Sequence, residues 1–315
     1  MLQGPQGIEQ VREHGYAVFQ PSQDGSEAID EGDWLQALIS ELETQALVLD
    51  VRTDLAVEAI RQIRAEGVLI VTIDDASDRR LAADLAFYPP VPQVERLDWT
   101  GFTGKRFIGW DWVLLGPEFA RCRMRVANKA AGDKTDKKNQ TVPLDILVTM
   151  GGSDPAGLTL MALKALDQID QDLHVTVVLG RGYLYELELQ QWLSHARRYY
   201  VFRRNVQDMP ATMAEVDLAI ASFGVTAYEL AVMGVPTIYY CLSNDHSESA
   251  SAFVNAGVAV DFGHYYQINE DASGEIISGL IKDSYRRVKM RQAALNLIDG
   301  WGAYRISKAV SARVV

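Results

Sequence analysis

Two cysteines, Cys122 and Cys241, are all that this 315-residue chain contains. They form no Cys-x-x-Cys pair, so a zinc site is short of thiolates, and a single bridge could not staple a chain this long. Such usage fits a reducing compartment. Basic residues are also in deficit: 30 lysines and arginines against 42 aspartates and glutamates leave a formal net charge of −12. A phosphate backbone wants a cationic face, which argues against nucleic-acid binding as the main function. One small anionic ligand is not excluded, because backbone N–H groups and a helix dipole can hold a diphosphate on an acidic protein. No apolar run approaches the roughly 18 residues of a membrane-spanning helix. The opening Met1-Leu2-Gln3-Gly4-Pro5 has no basic stretch leading into an apolar one. A cytoplasmic protein without a transmembrane segment is expected. No Gly-x-Gly-x-x-Gly run occurs, which disfavours a dinucleotide, and no cofactor is expected.

What the chain does have is alternation. Short β-branched apolar runs at Ala17–Phe19, Ala46–Leu49 and Leu69–Ile73 are separated by helical patterns around Trp34–Glu43 and Asp54–Glu66, the second ending at Gly67. Alternation of this kind means βαβ units and a parallel sheet. The segment Ala127–Gln140 has almost no large apolar residue and reads as an exposed linker. Beyond it, strands are expected at Ile146–Met150, Val175–Leu179, Tyr200–Phe202, Leu218–Ala221, Thr237–Cys241 and Val258–Val260. Helices are expected near Leu158–Leu166, Leu184–Ala196, Ala227–Met233, Ser247–Asn255 and Glu275–Ala294. The expected architecture is α/β, with two doubly wound parallel-sheet (Rossmann-like) domains. Residues 1–126 form the first, 127–141 the linker, and 142–315 the second, with the last helix free to pack back on the first domain.

Three stretches could carry chemistry. In the first, the strand ending at Met150 runs into Gly151, Gly152 and Ser153, followed by Asp154 as a candidate N-cap and Pro155 at a first helical position. Glycines let a ligand approach, and the orphan N–H groups of the next helix favour an anion. An ordinary tight turn explains the same residues equally well. In the second, the strand Leu218–Ala221 ends in Ser222-Phe223-Gly224-Val225, and Thr226 and Glu229 share one side of the following first turn. Glu229 could take a ribose diol while Thr226 and nearby N–H groups hold phosphate oxygens. A capping box is the plainer reading, and these residues alone favour it. In the third, Asp245 and His246 follow the strand Thr237–Cys241. An imidazole there could move protons, or could simply start a helix. Asp50, Asp74 and Asp75 are strand-end carboxylates open to a divalent ion, but Asp75 and Asp78 read more simply as turn and cap residues, and no metal is expected.

The run Val148–Pro155, then Thr226-Ala227-Tyr228-Glu229-Leu230 and Gly234-Val235-Pro236-Thr237, resembles the UDP-sugar hydrolases of pseudaminic acid biosynthesis. These are GT-B-fold relatives of the MurG-type glycosyltransferases, often grouped with spore-coat polysaccharide biosynthesis proteins. Ile298–Ile306 resembles the close of the family's last helical region. Val48-Leu49-Asp50, Ile73-Asp74-Asp75 and Leu114–Phe119 carry the likeness into the first half. The resemblance implies a GT-B fold with a nucleotide-sugar site in a cleft. There Gly151, Gly152, Ser153, Gly224, Val225 and Thr226 would lie near the phosphates, Glu229 on the ribose, and Asp50 and Asp245 on the sugar. UDP is the nucleotide the family implies.

The family opens with a strand and a Gly-x-Gly-His loop that supplies its catalytic base, and this sequence has neither. Gly4-Pro5-Gln6-Gly7 contains no histidine, and His14-Gly15 precedes an expected strand instead of following one. The first domain is therefore expected to be incomplete, either truncated or completed by a partner chain. Arg52, Pro90, Gly116 and Asp245-His246 depart from the family pattern as well. Loss of the base alone removes about 10²–10⁴ in rate. Three functions follow. The motif detail favours a nucleotide-sugar hydrolase, with His246 or Asp74 in an altered catalytic role. A glycosyltransferase using the same donor site is the second. A non-catalytic or partner-dependent nucleotide-sugar-binding protein is the third.

Overall fold

The computed structural model describes residues 5–21, 30–50, 55–132, 143–268 and 270–314. They fall into two compact units. Unit 1 is Met1–Pro89, Arg96–Trp112 and Tyr304–Val315; unit 2 is Pro90–Glu95 and Val113–Ala303.

Unit 1 contains helix α1 (Pro5–Glu13), then α2 (Glu31–Glu41), β1 (Ala46–Leu49), α3 (Val57–Ala65), β2 (Leu69–Ile73), β3 (Leu85–Tyr88) and β4 (Lys105–Ile108). Asp30 starts α2 by accepting from the N–H groups of Gly32 and Asp33 at 2.8 and 3.0 Å. The strands are parallel in the order β1-β2-β3-β4. Strand periodicity sends successive side chains to opposite faces. Ile70 joins Ile39, Ile60 and Ile63 under α2 and α3. Its neighbour Val71 joins Leu85 and Phe87 on the other face, which the chain's closing helix (Gly302–Ser311) covers with Ile306, Ala309 and Val310. Full burial of a side chain of this size contributes about 1.5–3 kcal/mol.

The strand expected at Ala17–Phe19 does not form. Those residues pair with no strand among the described residues, and Phe19 is 48% exposed. A three-residue run without a neighbouring strand gains nothing from extension.

Unit 2 begins with α4 (Pro117–Gly132) and continues β5 (Leu144–Thr149), α5 (Leu158–Asp167), β6 (Leu173–Leu179), α6 (Glu186–Leu193), β7 (Tyr200–Arg204), α7 (Met209–Ala214) and β8 (Leu218–Ser222). It ends with α8 (Val225–Val232), β9 (Thr237–Cys241), α9 (Asn244–Asn255), β10 (Ala259–His264), α10 (Glu270–Lys282) and α11 (Ser284–Leu297). Its six parallel strands lie in the order β10-β9-β8-β5-β6-β7. The chain winds outward from β5 to β7, returns to the other side of β5 and winds out again to β10. This is the doubly wound pattern.

Two expectations need correcting here. Residues 127–132 of the supposed linker are the last turns of α4. Alanine and lysine are good helix formers, so a helix already begun at Pro117 continues without a large apolar face. Residues 133–142 lie outside the described residues. The single helix expected at Glu275–Ala294 is two. The Asp283 carboxylate accepts from the Arg286 N–H at 2.8 Å and starts α11, while the Arg287 guanidinium closes α10 at the carbonyls of Leu280 and Ile281. Among the described residues no helix is long and apolar enough to cross a membrane.

Candidate functional site

In a doubly wound sheet, the crevice for a ligand lies beyond the carboxyl ends of the strands, where the strand order reverses. In unit 2 that point lies between β5 and β8, which pair in parallel through Thr149↔Ala221. The segments Gly151–Ser153 and Phe223–Thr226 therefore leave the sheet side by side. A Cβ on Gly151 would lie only 3.7 Å from the Ser222 Oγ. Gly151 has φ +74, a left-handed conformation that suits glycine, and Gly151, Gly152 and Ser153 are all exposed.

The Gly151–Ser153 turn is set partly by the Gly180–Gly182 loop that follows β6. Gly182 N–H donates to the Gly152 carbonyl at 2.9 Å, and any Cβ on Gly180 would overlap that carbonyl. The loop after β6 thus backs the loop after β5. A glycine closely following a strand was the available signal, but its meaning depended on which loop faced it.

Asp154 and Pro155 act differently from expectation. α5 begins at Leu158, so Pro155 precedes the helix instead of occupying its first position. Asp154, at φ +44 and only 3% exposed, reaches forward to accept from the N–H groups of Leu158 and Thr159 at 2.8 and 2.9 Å. Those two amides, expected to face a ligand, already have a carboxylate. An anion at Gly151–Ser153 would have to use loop amides in place of these two.

α8 is arranged the other way. Its N-cap is Gly224, and no side chain caps it among the described residues. A capping box would put Thr226 at the cap. Here Thr226 is the second residue of the helix, so the capping box is set aside: a helix that starts two residues early leaves its Thr and Glu on the wrong turn for it. The first N–H groups of α8 thus lack a carboxylate of the kind α5 carries. Phe223 anchors the start, its ring 5.4 Å from Tyr239 and 5.5 Å from Phe253, and Gly234 at φ +68 ends the helix. Glu229 lies one turn in and is partly buried. Burial holds its carboxyl above the ordinary glutamate range, and the nearby Glu118 carboxylate pushes the same way. A hydrogen bond with the Thr226 side chain opposes both.

His246 is the third residue of α9, its N–H donating to the Ser243 Oγ at 3.1 Å. The helix-start reading therefore describes its backbone. Its ring lies 6.0 Å from that of Phe223, which puts the imidazole beside the approach to α8. The Nδ1 is buried and has no hydrogen-bond partner among the described residues. Burial lowers the imidazole pKa, partly offset by Asp245, so the ring is neutral at pH 7. Asp245 itself is exposed, and its carbonyl accepts from the Gln93 Nε2 at 2.8 Å.

Asp50 and Asp74 belong to unit 1. Both are exposed, at the carboxyl ends of adjacent strands β1 and β2, and Asp74 has φ +50 with its N–H donating to the Phe87 carbonyl at 2.9 Å. Asp75 is a turn and ion-pair residue: it accepts from the Ser77 N–H at 2.8 Å and from the buried Arg79 Nε at 2.9 Å. Among the described residues no group of three or more His, Cys, Asp or Glu is placed to hold a metal. A cavity of about 820 Å³ lined by Asp170, His174 and Arg197 lies at the opposite, amino end of β6 and β7 and contains none of these site residues.

No protein-family model matches the chain. The spore coat polysaccharide biosynthesis protein SpsG of Bacillus subtilis is 26% identical over 201 residues, covering 63% of this chain and 56% of that protein. The uncharacterized protein MJ1062 of Methanocaldococcus jannaschii is 32% identical over 135 residues, covering 42% of this chain and 26% of that one. The match thus spans about half of the first relative and a quarter of the second. Among solved structures, Acinetobacter baumannii MurG superposes with a TM-score of 0.69 at 14% identity, over 96% of this chain and 87% of that chain. The glycotransferase of kitacinnamycin gives 0.64 at 16% identity, over 99% and 90%. Anabaena HepE in complex with UDP-glucose gives 0.56 at 15%, over 98% and 89%. These likenesses establish the fold: two parallel-sheet α/β units of GT-B type.

Proposed function

We propose that this chain binds a nucleotide sugar in unit 2 and transfers the sugar to an acceptor hydroxyl, in the assembly of a surface polysaccharide. The observation that carries the reading is the uncapped start of α8 at the switch point of the sheet, with the Glu229 carboxylate one turn behind it. The bare N–H groups and the positive end of the dipole suit a diphosphate. A partly buried carboxylate at that distance suits the two hydroxyls of a ribose.

In the transfer, the bond between the sugar's anomeric carbon and the phosphate oxygen breaks while the acceptor oxygen bonds to that carbon. The acceptor's proton must go to a base, and the diphosphate leaves with the electron pair. Amides preorganised at α8 stabilise the charge that develops on the leaving group. The neutral imidazole of His246, with its unpartnered Nδ1, is the base we assign in unit 2. The names of the B. subtilis relative and of the UDP-glucose-bound HepE support polysaccharide assembly and a UDP-linked donor.

Hydrolysis is the competing reading, supported by the motif likeness of Val148–Pro155 and Thr226–Leu230 to UDP-sugar hydrolases; water then replaces the acceptor. Calorimetry with UDP and other nucleoside diphosphates tests the site, and a donor assay with and without acceptor alcohols tests the reaction. Release of UDP that depends on acceptor supports transfer, and equal release in buffer supports hydrolysis. No affinity for any nucleoside diphosphate would overturn both.

A further inference from the structure

The loop after β6 is a tight turn, Gly180-Arg181-Gly182-Tyr183, closed by the Tyr183 N–H on the Gly180 carbonyl at 3.3 Å. Tyr183 packs against the core of unit 2 and roots one end of it. Both glycines lie on the Gly151–Ser153 turn. Gly182 N–H holds the Gly152 carbonyl, and a Cβ on Gly182 would stand 3.4 Å from that of Ser153. Between the two glycines, Arg181 is the one side chain at the tip of the turn, exposed at the lip of the crevice.

Its direction is fixed from the far side. The Arg181 Nε donates to the Asn205 Oδ1 at 3.1 Å. Asn205 directly follows β7 and has φ +51, a left-handed conformation that asparagine tolerates better than most side chains. The two terminal nitrogens of Arg181 have no partner among the described residues. The neighbouring cations are committed. Arg204 pairs with the Glu186 carboxylate, and the Arg203 guanidinium donates to the Thr212 Oγ1 at 3.5 Å.

We propose that Arg181 is the cationic ligand of the donor's diphosphate and that Asn205 positions it, a step that rests on the reading of unit 2 as a nucleotide-sugar site. Charge is the reason. Amides and a helix dipole offer a diphosphate only partial charges, and Asp154, Glu118 and Glu229 add carboxylates around it. An arginine supplies a full charge and a planar fork that two phosphate oxygens can fill.

Calorimetry of the full chain with UDP, at low and at high salt, tests this. Arg181→Gln should weaken UDP about tenfold at low salt, the effect of a charge-assisted contact partly exposed to water. Added salt should weaken binding less in this variant than in the parent, because the screened charge is gone. Arg181→Lys keeps the charge without the fork and should fall between the two. Asn205→Gly keeps the left-handed backbone but loses the Oδ1. It should weaken UDP binding in the parent and add nothing in Arg181→Gln. Arg204→Gln removes the same charge from the adjoining strand and should leave UDP affinity almost unchanged. Parent affinity in Arg181→Gln overturns the proposal, as does an equal loss in Arg204→Gln, which would make net charge alone responsible. A parent that binds no nucleoside diphosphate removes the nucleotide reading itself, a failure distinct from either.

Discussion

The carbonyl of Gly152 packs against the α-carbon of Gly180 so closely that no side chain fits between them. The loop that follows β5 therefore owes its position to the loop that follows β6. Gly180→Ala should displace Gly151–Ser153, destabilise the fold by about 1–3 kcal/mol as overpacking does, and weaken nucleoside diphosphate binding. Denaturant unfolding and calorimetry on the same variant measure both effects. Unchanged affinity would separate this loop from the ligand.

Glu229→Gln should weaken nucleotide binding by about 10- to 100-fold, the range for losing hydrogen bonds to a charged group. It should not lower the melting temperature. Burial and Glu118 hold the Glu229 carboxyl above its ordinary range, so the folded chain binds that proton more tightly than the unfolded one. The group's contribution to stability is therefore largest below the ordinary glutamate pKa and is lost as pH rises through the elevated value. At neutral pH the glutamine variant should melt at or above the parent temperature. A lower melting temperature would mean that the carboxylate is structural.

Nucleotide affinity needs the ionised form of the same carboxyl. It should decline as pH falls through the elevated value, in milder acid than an ordinary glutamate would allow. Titrating binding across the acidic range in parent and Glu229→Gln checks this, since only the parent should show the step.

Asp154→Ala should cost about 1–3 kcal/mol, because it leaves the Leu158 and Thr159 amides buried without an acceptor. Nucleotide affinity should change little. Thermal melting and calorimetry together distinguish this from a ligand-binding role, in which affinity would fall first.

His246 carries the opposite sign to Glu229. Its pKa is lowered by burial, so the unfolded chain takes up the proton first. Stability from this group is present above the ordinary histidine pKa and is lost as pH falls through that value toward the lowered one. The acid limb of any activity that uses His246 as base should lie below the ordinary histidine range, and His246→Asn should remove it. A limb that persists in the variant assigns the base elsewhere.

Much of this was legible in the chain. Leu69–Ile73 and Thr237–Cys241 are strands to the residue, because a strand buried on both faces is an apolar run, and Ala46–Leu49 is one to the residue as well although Val48 is half exposed. Gly67 and Gly234 ended helices as their position suggested, both with positive φ. β4 was missed because it opens with Lys105 and Arg106 and looks polar in sequence. The adjacency of Gly151–Ser153 to Phe223–Thr226 depends on β8 returning beside β5, a pairing of residues about seventy positions apart that no local pattern encodes. The role of Asp154 was hidden for a smaller reason. An N-cap is recognised next to its helix, and this carboxylate acts from four residues away across a left-handed turn.

The helix that closes the second face of the unit 1 sheet lies about two hundred residues after the strands it covers. Val71, Leu85 and Phe87 leave the exit tunnel long before Ile306, Ala309 and Val310, their packing partners. The unit 1 strands are thus made before unit 2 and sealed after it, and their apolar face stays open while all of unit 2 emerges. Passage of unit 2 through the tunnel, more than the order of the strands, sets when the unit 1 sheet can finish folding.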